Sequence, residues 1–304
     1  MGKARKAQGY KEFLLILPFI ALVAVFAYFP LYGWIYSFFD YQPPLPFSWD
    51  SLVGLKWFKL LFQNQSYVNQ TLQVLRNTFA MSGIALLFSW LPMFFAILLN
   101  ELRNAPFKKF VQTAATIPNF ISWVLVYSVA FLLMGNNGMI NSVLKDWGLI
   151  ARPIDFMKDS SHLWLKMWLW LTWKNLGWAA IMYVAAISGI DEGMYEAAKI
   201  DGAARWQCIW SITIPSLLPT FFVLMLLNIS NMLNNGMEQY YVFQNSWNRE
   251  YIQVLDLYVY NLSTSKPPVY SISTALSMLK SVVSLALLFA ANGLSIGVRR
   301  ESIL

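Results

Sequence analysis

The sequence predicts an all-α membrane protein, with six transmembrane helices and one charged cytoplasmic loop. Three observations carry this expectation. Of 304 residues, 58% are hydrophobic and only 12% charged, where soluble chains average about 45–50% apolar and about 25% charged; the mean hydropathy is +0.48. The apolar residues fall in runs of roughly 20, the length a helix needs to cross a bilayer, without the ten-residue alternation of a membrane barrel strand. Between two such runs the chain inserts "YEAAKIDGAARWQCIWSITIP" (195–215), a short charged segment with a Gly inside and a Pro at its end.

Composition also excludes several classes of function. A lone cysteine, Cys208, rules out a disulfide framework within the chain and a cluster of cysteine metal ligands. A lone histidine, His162, removes most histidine-based catalysis, so neither a catalytic nor a metal site is expected. No GxxxxGK[ST] phosphate loop is present, so the chain does not bind ATP in that way. The net charge of +7 could suggest nucleic acid, but the basic residues flank apolar runs, and membrane topology explains them without it.

Six segments are apolar enough to span, at about 13–39, 72–99, 110–134, 164–189, 217–236 and 270–294, forming a single transmembrane domain over 1–304. The first follows MGKARKAQGYK. It is too long for the apolar core of a signal peptide, and no A-x-A site closes it, so it is read as a retained span. Pro18, Pro30, Pro92 and Pro118 fall inside spans, which is tolerated where packed neighbours satisfy the freed carbonyls. An even number of spans puts both termini on one side. That side carries Lys3, Arg5, Lys6 and Lys11, then Arg103, Lys108 and Lys109, Lys199 and Arg205, and Arg299 and Arg300. The basic residues of the other side are nearly as many but spread over longer loops. Their density near span ends predicts cytoplasmic N- and C-termini. The outer loops are then about 40–71, 135–163 and 237–269, and "SLVGLKWFKLLF" (51–62) reads as a short amphipathic helix on the outer surface.

The charged loop has its own chemistry. Asp191 can cap a helix start, and Glu192 and Glu196 suit the dipole of that end. Ala197 and Ala198 are small helix formers that let a second protein approach closely. Gly202 permits a turn that other residues resist, Asp201 and Arg205 have the acid-first i,i+4 spacing, and Pro215 marks a fresh start into the fifth span. The expected element is a short exposed helix across the cytoplasmic face, shaped as a docking handle.

Glu196-Ala197-Ala198, three residues, Gly202, nine residues, then Ile212-Thr213-Ile214-Pro215 resembles the E-A-A…G…I-x-L-P signature of permease subunits of binding-protein-dependent ABC importers, with Ile214 where Leu is usual. "DGAARWQ" (201–207), "LLNELRNAPFKKFVQTAATIPNFISWVLV" (98–126), "GWAAIMYVAAISGIDEGMYEAAKIDGA" and the segments around "LDLYVYNLS" and "YSISTALSMLKS" are similar to the polysaccharide-type branch of carbohydrate permeases, related to maltose-type permeases. The short C-terminal VRRESIL departs from that branch. The resemblance implies a type I importer fold in the bacterial plasma membrane, acting as half of a permease heterodimer. It implies a second permease subunit, two cytoplasmic ATPases that bind ATP and Mg, and an extracellular sugar-binding protein that delivers an oligosaccharide. The charged loop would be the coupling helix seated in an ATPase cleft.

Polar residues at membrane depth are the candidate pathway, because a Lys at mid-bilayer costs roughly 2.5–3.5 kcal/mol on insertion scales. Lys174 and Asn175 lie in the fourth span and Lys280 in the sixth, where Ser273, Ser277, Ser281 and Ser284 recur at helical spacing. Asn228, Asn231 and Asn235 share a face of the fifth. These groups suit a sugar site; equally, Ser and Asn join helices and Lys extends to the interface. Two ammonium groups without an acid in the spans would favour an anionic oligosaccharide. A non-sugar importer would share the coupling signature. An ion-coupled transporter would need acidic residues inside spans, and a membrane enzyme would need clustered His, Asp, Glu or Cys; the sequence supplies neither.

Overall fold

Prolines set the helix boundaries. In the computed structural model, whose described backbone covers residues 2–43, 45–267 and 269–299 and whose described side chains cover 13–43, 45–267 and 269–297, Pro30, Pro92, Pro118 and Pro215 each sit at the first or second position of a new helical segment. Proline lacks an N–H and its φ suits a helix start. Pro18 and Pro219 lie within α-helices. The basic flanks Lys3, Arg5, Lys6, Lys11, Arg299 and Arg300 lie outside the residues whose side chains are described. Among the described residues the sole β feature is one antiparallel bridge between Phe39 and Leu52.

The chain divides into two compact units. The first comprises 1–68 with 259–281. It holds α1 (Gly2–Val23), a π-helical turn (Ala24–Tyr28), a 3₁₀ segment (Phe29–Phe38) and α2 (Lys56–Gln63). The apolar side chains from Phe13 to Tyr32 are largely exposed, as a lipid-facing helix requires. Phe39 anchors this unit. It is 2% exposed, packs its ring 4.7 Å from Phe47 and 5.4 Å from Trp49, and accepts at its carbonyl from Trp57 Nε1 (2.9 Å) and Ser271 Oγ (2.7 Å). The amphipathic segment 51–62 is therefore shorter than its sequence suggests, and it turns its apolar side inward. Leu61 is buried and Phe58 meets Phe38 at 5.7 Å, because the apolar stripe finds partners on the chain itself.

The second unit comprises 69–258 with 282–304. In chain order it is built from α3 (Gln65–Leu87), α4 (Leu91–Asn100), α5 (Ala105–Thr116), α6 (Trp123–Met134), α7 (Met139–Asp146), α8 (Leu163–Ser188), α9 (Glu192–Ile200), α10 (Arg205–Cys208), α11 (Ile214–Ser230), α12 (Glu238–Phe243), α13 (Arg249–Ile252) and parts of α14 (Leu255–Thr264) and α15 (Tyr270–Arg299). Its core gathers Ala96, Ile97, Ala180, Tyr183, Ile187, Ile209 and Leu217. α8 packs along α4 and α5. Close approach needs Gly177: a Cβ there would lie 2.3 Å from the Ala115 carbonyl.

Among the described residues, five stretches are long and apolar enough to cross a membrane: Phe13–Phe38, Gln65–Asn100, Trp123–Asp146, Arg205–Ser230 and Tyr270–Gly297. The fourth expected span is α8, whose 26 residues reach about 39 Å at 1.5 Å per residue; its tryptophans, Lys174 and Asn175 hold its hydropathy down. The third expected span, 110–134, is not one helix. α5 passes into a 3₁₀ turn (Ile117–Phe120), the chain extends at Ile121 and Ser122, and α6 restarts with the Ser122 hydroxyl accepting from Leu125 N.

The stretch 237–269, expected as an outer loop, folds into α12–α14 and buries Ile252, Val254, Leu255, Leu257 and Tyr258. The reason lies in α3. Asn77 Nδ2 donates to the carbonyls of Glu250 (2.8 Å) and Gln253 (3.1 Å), and the Thr78 hydroxyl accepts from Leu255 N (2.9 Å). Both side chains are fully buried, so they hold a short apolar segment that hydropathy alone reads as surface.

Gly177→Ala is expected to destabilise the purified chain by about 1–3 kcal/mol, the usual cost of overpacking, and to lower its melting temperature. Gly83→Ala, where a Cβ meets nothing within 4 Å, is the control. Equal melting of the two variants would remove the close-approach argument.

Candidate coupling surface and translocation cavity

The charged loop forms a separate helix with neither end on a span. Asp191 caps α9 through Oδ1, which accepts from Gly193 N at 3.0 Å. Gly202 ends it with φ +80°, a left-handed conformation that glycine adopts without strain. No residue of α9 is buried. Glu196 and Ala197 are exposed, Ala198 is half-buried, and Met194 and Ile200 present apolar side chains outward, Ile200 at 87% exposure. These two apolar residues were not singled out from the sequence; their place in a charged stretch conceals them.

Asp201 and Arg205 do not pair as an i,i+4 couple. The Gly202 turn puts Asp201 at the end of α9 and Arg205 at the start of α10, and Arg205 Nε instead faces Glu101 Oε2 at 3.9 Å across a cavity of about 700 Å³. Pro215 is the second residue of α11 but does not interrupt the helical run. α10, a π-helical turn (Ile209–Thr213) and α11 run as one continuous stretch, Arg205–Ser230, and the wider π turn accommodates a proline that cannot donate. Inside that turn the Thr213 hydroxyl meets the Tyr195 hydroxyl at 2.9 Å, so α9 is hydrogen-bonded to the base of the α11 stretch.

Midway along α8, Lys174 is 7% exposed. Its Nζ donates to the carbonyls of Asn119 (2.5 Å) and Pro118 (3.3 Å) and lies 5.5 Å from the centre of the Trp123 ring; Glu238 is its acidic neighbour. Asn175 Oδ1 accepts from Asn119 Nδ2 at 2.9 Å. Lys174 therefore serves the broken helix at 117–122, not an open cavity, and the expectation that two unneutralised lysines make a positive pathway loses this member. Lys280 is half-buried on α15.

The asparagines separate. α11 ends at Ser230, so Asn228, Asn231 and Asn235 share no helical face. Asn231 Nδ2 returns to the Leu227 carbonyl (3.0 Å), and Asn235 Nδ2 donates to Ser82 Oγ (2.8 Å). The serine stripe turns inward on its own helix: Ser277 Oγ donates to Ser273 O (2.9 Å) and Ser281 Oγ to Ser277 O (3.0 Å). Two expected residues do meet. Asn175 and Asn228 line a cavity of about 430 Å³ with Phe88, Trp168, Thr172 and Tyr183, and no lining residue is charged. The Phe88 and Trp168 rings lie 4.4 Å apart. Polar amides between aromatic walls are the chemistry that binds an uncharged polyhydroxylated ligand.

Residues 89–298 match the family model described as binding-protein-dependent transport system inner membrane component. The chain is 38% identical over 285 residues to the polygalacturonan/rhamnogalacturonan transport system permease protein YteP of Bacillus subtilis (strain 168), covering 93% of this chain and 87% of the relative. It is 36% identical over 282 residues to protein LplB of the same organism, covering 92% and 86%. A chain of a bacterial alginate ABC transporter, solved in complex with an alginate pentasaccharide-bound periplasmic protein, superimposes with a TM-score of 0.84 at 28% identity, covering 97% of each chain. By the family match, by these identities and by that fold, the chain belongs to the family of binding-protein-dependent transport system inner membrane components.

Proposed function

We propose that the chain is a permease subunit of an ATP-driven importer that takes up an oligosaccharide handed over by an extracellular sugar-binding protein. It would act beside a second permease and two ATPases, which bind and hydrolyse ATP with Mg while this chain performs no covalent chemistry. The observation that carries the reading is α9: an unburied helix, fixed at both ends by Asp191 and Gly202, that turns Ile200 and Met194 outward. Such a surface is built to enter a cleft in another protein. The names of its relatives, a polygalacturonan/rhamnogalacturonan permease and an alginate transporter, support a sugar cargo. The uncharged cavity between α8 and α11 is the proposed passage. On this reading α9 and both termini are cytoplasmic.

Three measurements test the reading. In the assembled importer, Glu196→Lys and Gly202→Val are expected to abolish substrate-stimulated ATP hydrolysis and uptake while the protein still reaches the membrane, since the first reverses a charge beside the dipole of the α9 start and the second forces a β-branched residue into positive φ. Wild-type turnover in both variants would remove the docking role of α9.

A membrane-impermeant maleimide is expected to label Cys208, which is half-buried, in inside-out vesicles and not in intact cells. Efficient labelling of intact cells reverses the orientation.

Lys174→Met is expected to depress uptake of tetragalacturonate and maltotetraose alike, because it takes the ammonium donor from the Asn119 carbonyl and leaves the Pro118 carbonyl only its bond from Ile121 N. Asn228→Ala is expected to lower uptake at least tenfold with surface expression unchanged. Selective loss of the acidic sugar in Lys174→Met would restore a charge-recognition role to that lysine.

A further inference from the structure

A second cavity lies at the end of α8 opposite α9, and nothing above uses it. Its volume is about 650 Å³. Beside the α6 face at Tyr127, Phe131 and Leu132, three segments form its wall: the turn between α6 and α7, the stretch 155–158 ahead of α8, and the 245–247 turn after α12. Each is pinned to a neighbour by a side-chain amide. Asn141, 4% exposed, donates through Nδ2 to the carbonyls of Gly135 and Ile154 (2.9 Å each), and its Oδ1 accepts from Ile154 N (2.9 Å). Asn245 Nδ2 donates to Met157 O at 3.0 Å, and its Oδ1 accepts from Trp247 N (2.9 Å) and Asn248 N (3.0 Å). Asn248, 2% exposed, closes the turn by donating to Phe243 O (3.0 Å) and accepting from Asn245 N (2.9 Å). The wall is thus preorganised before any ligand arrives.

The groups it presents have a definite chemistry. Trp247 is 69% exposed on a turn whose backbone is fixed, and Tyr127 stands edge-on to Phe243 at 5.2 Å. Asp155 accepts from Asn136 Nδ2 at 3.3 Å and pairs with Lys158 at 3.0 Å. The Lys158 ammonium holds the Asp155 carboxyl below the usual carboxylate range, so it is an acceptor at neutral pH. The charges of Asp155 and Lys158 cancel, and no other lining residue is charged. A rigid aromatic face beside a carboxylate and side-chain amides matches a pyranose ring: the apolar ring face covers the indole, and the ring hydroxyls donate to the carboxylate.

We infer that this cavity is a carbohydrate subsite, separate from the α8–α11 cavity, that holds one pyranose unit of an oligosaccharide against Trp247 with its hydroxyls on Asp155. On the orientation proposed above it opens outward, where sugar arrives. The two cavities are spaced along α8: from its first residue, Leu163, to Asn175 the helix rises about 18 Å. The inference rests on the sugar-import reading.

The test uses the assembled importer in nanodiscs without its binding protein, with maltotetraose, cellotetraose and tetragalacturonate as separate probes. Saturation-transfer NMR is expected to show transfer to the ring protons of at least one probe in the wild type. Asn228→Ala should retain at least half of it, and Trp247→Ala and Asp155→Asn should each reduce it at least fivefold. Trp247 is exposed and Asp155 half-buried, and wild-type melting of each variant checks that folding is preserved. No transfer in the wild type, or transfer that survives both Trp247→Ala and Asp155→Asn, overturns the subsite. So does a variant that weakens only the docking of the binding protein and leaves transfer intact, since that assigns Trp247 to a protein contact. Uptake separates the two readings: a wild type that imports no sugar sinks the import reading, whereas import that continues while transfer is insensitive to Trp247 and Asp155 sinks the subsite alone.

Discussion

The second unit depends on how an interrupted helix is tolerated at membrane depth. Where α5 gives way at Ile117–Phe120, the Pro118 carbonyl keeps a 3₁₀ bond from Ile121 N (3.1 Å) and the Asn119 carbonyl takes its donor from Lys174. In hydrocarbon each unsatisfied group costs several kcal/mol. Lys174 and Asn175 answer that demand with an ammonium on two carbonyls and an amide on the Asn119 side chain. A lysine suits the place because it supplies three donors from one flexible stem. Its charge is met by oriented carbonyl dipoles, the Trp123 ring and Glu238. With the break secured, α6 leaves in a new direction and α8 can run close beside α5, where Gly177 admits the Ala115 backbone.

The same logic organises the route from α9 to the cavity. A π turn lets Pro215 sit inside a helical rod that stays continuous from Arg205 to Ser230. Tyr195 and Thr213 bind α9 to that rod. Asn228, near the far end of the rod, lines the cavity. One helical stretch therefore joins α9 to a polar group that lines the α8–α11 cavity.

The sequence was most legible where a physical signal is both local and long. Apolar runs of span length mark the helices, and the spacing of Glu196, Gly202 and Pro215 marks the handle. It was least legible where a residue answers a need created elsewhere in the chain. Nothing near Lys174 in sequence reveals that its partners are carbonyls at 118 and 119. Nothing near Leu255 reveals that Asn77 and Thr78 bury it. The asparagine face failed for a plainer reason: α11 stops at Ser230, and helical spacing was extended past the end of the helix. Asn175 and Asn228 line one cavity, but its aromatic partners Phe88 and Trp168 were hidden among many tryptophans and phenylalanines.

Ile200 has a consequence for biogenesis. A branched aliphatic side chain at 87% exposure beside Met194 gives the newly inserted chain an adhesive spot in water until something covers it. Burying one such side chain contributes about 1.5–3 kcal/mol, a modest increment to a permanent assembly but enough to favour capture by any apolar cleft nearby. An orphan subunit is then chemically distinguishable from an assembled one, and the surveillance that clears unpartnered membrane proteins has a physical mark to read.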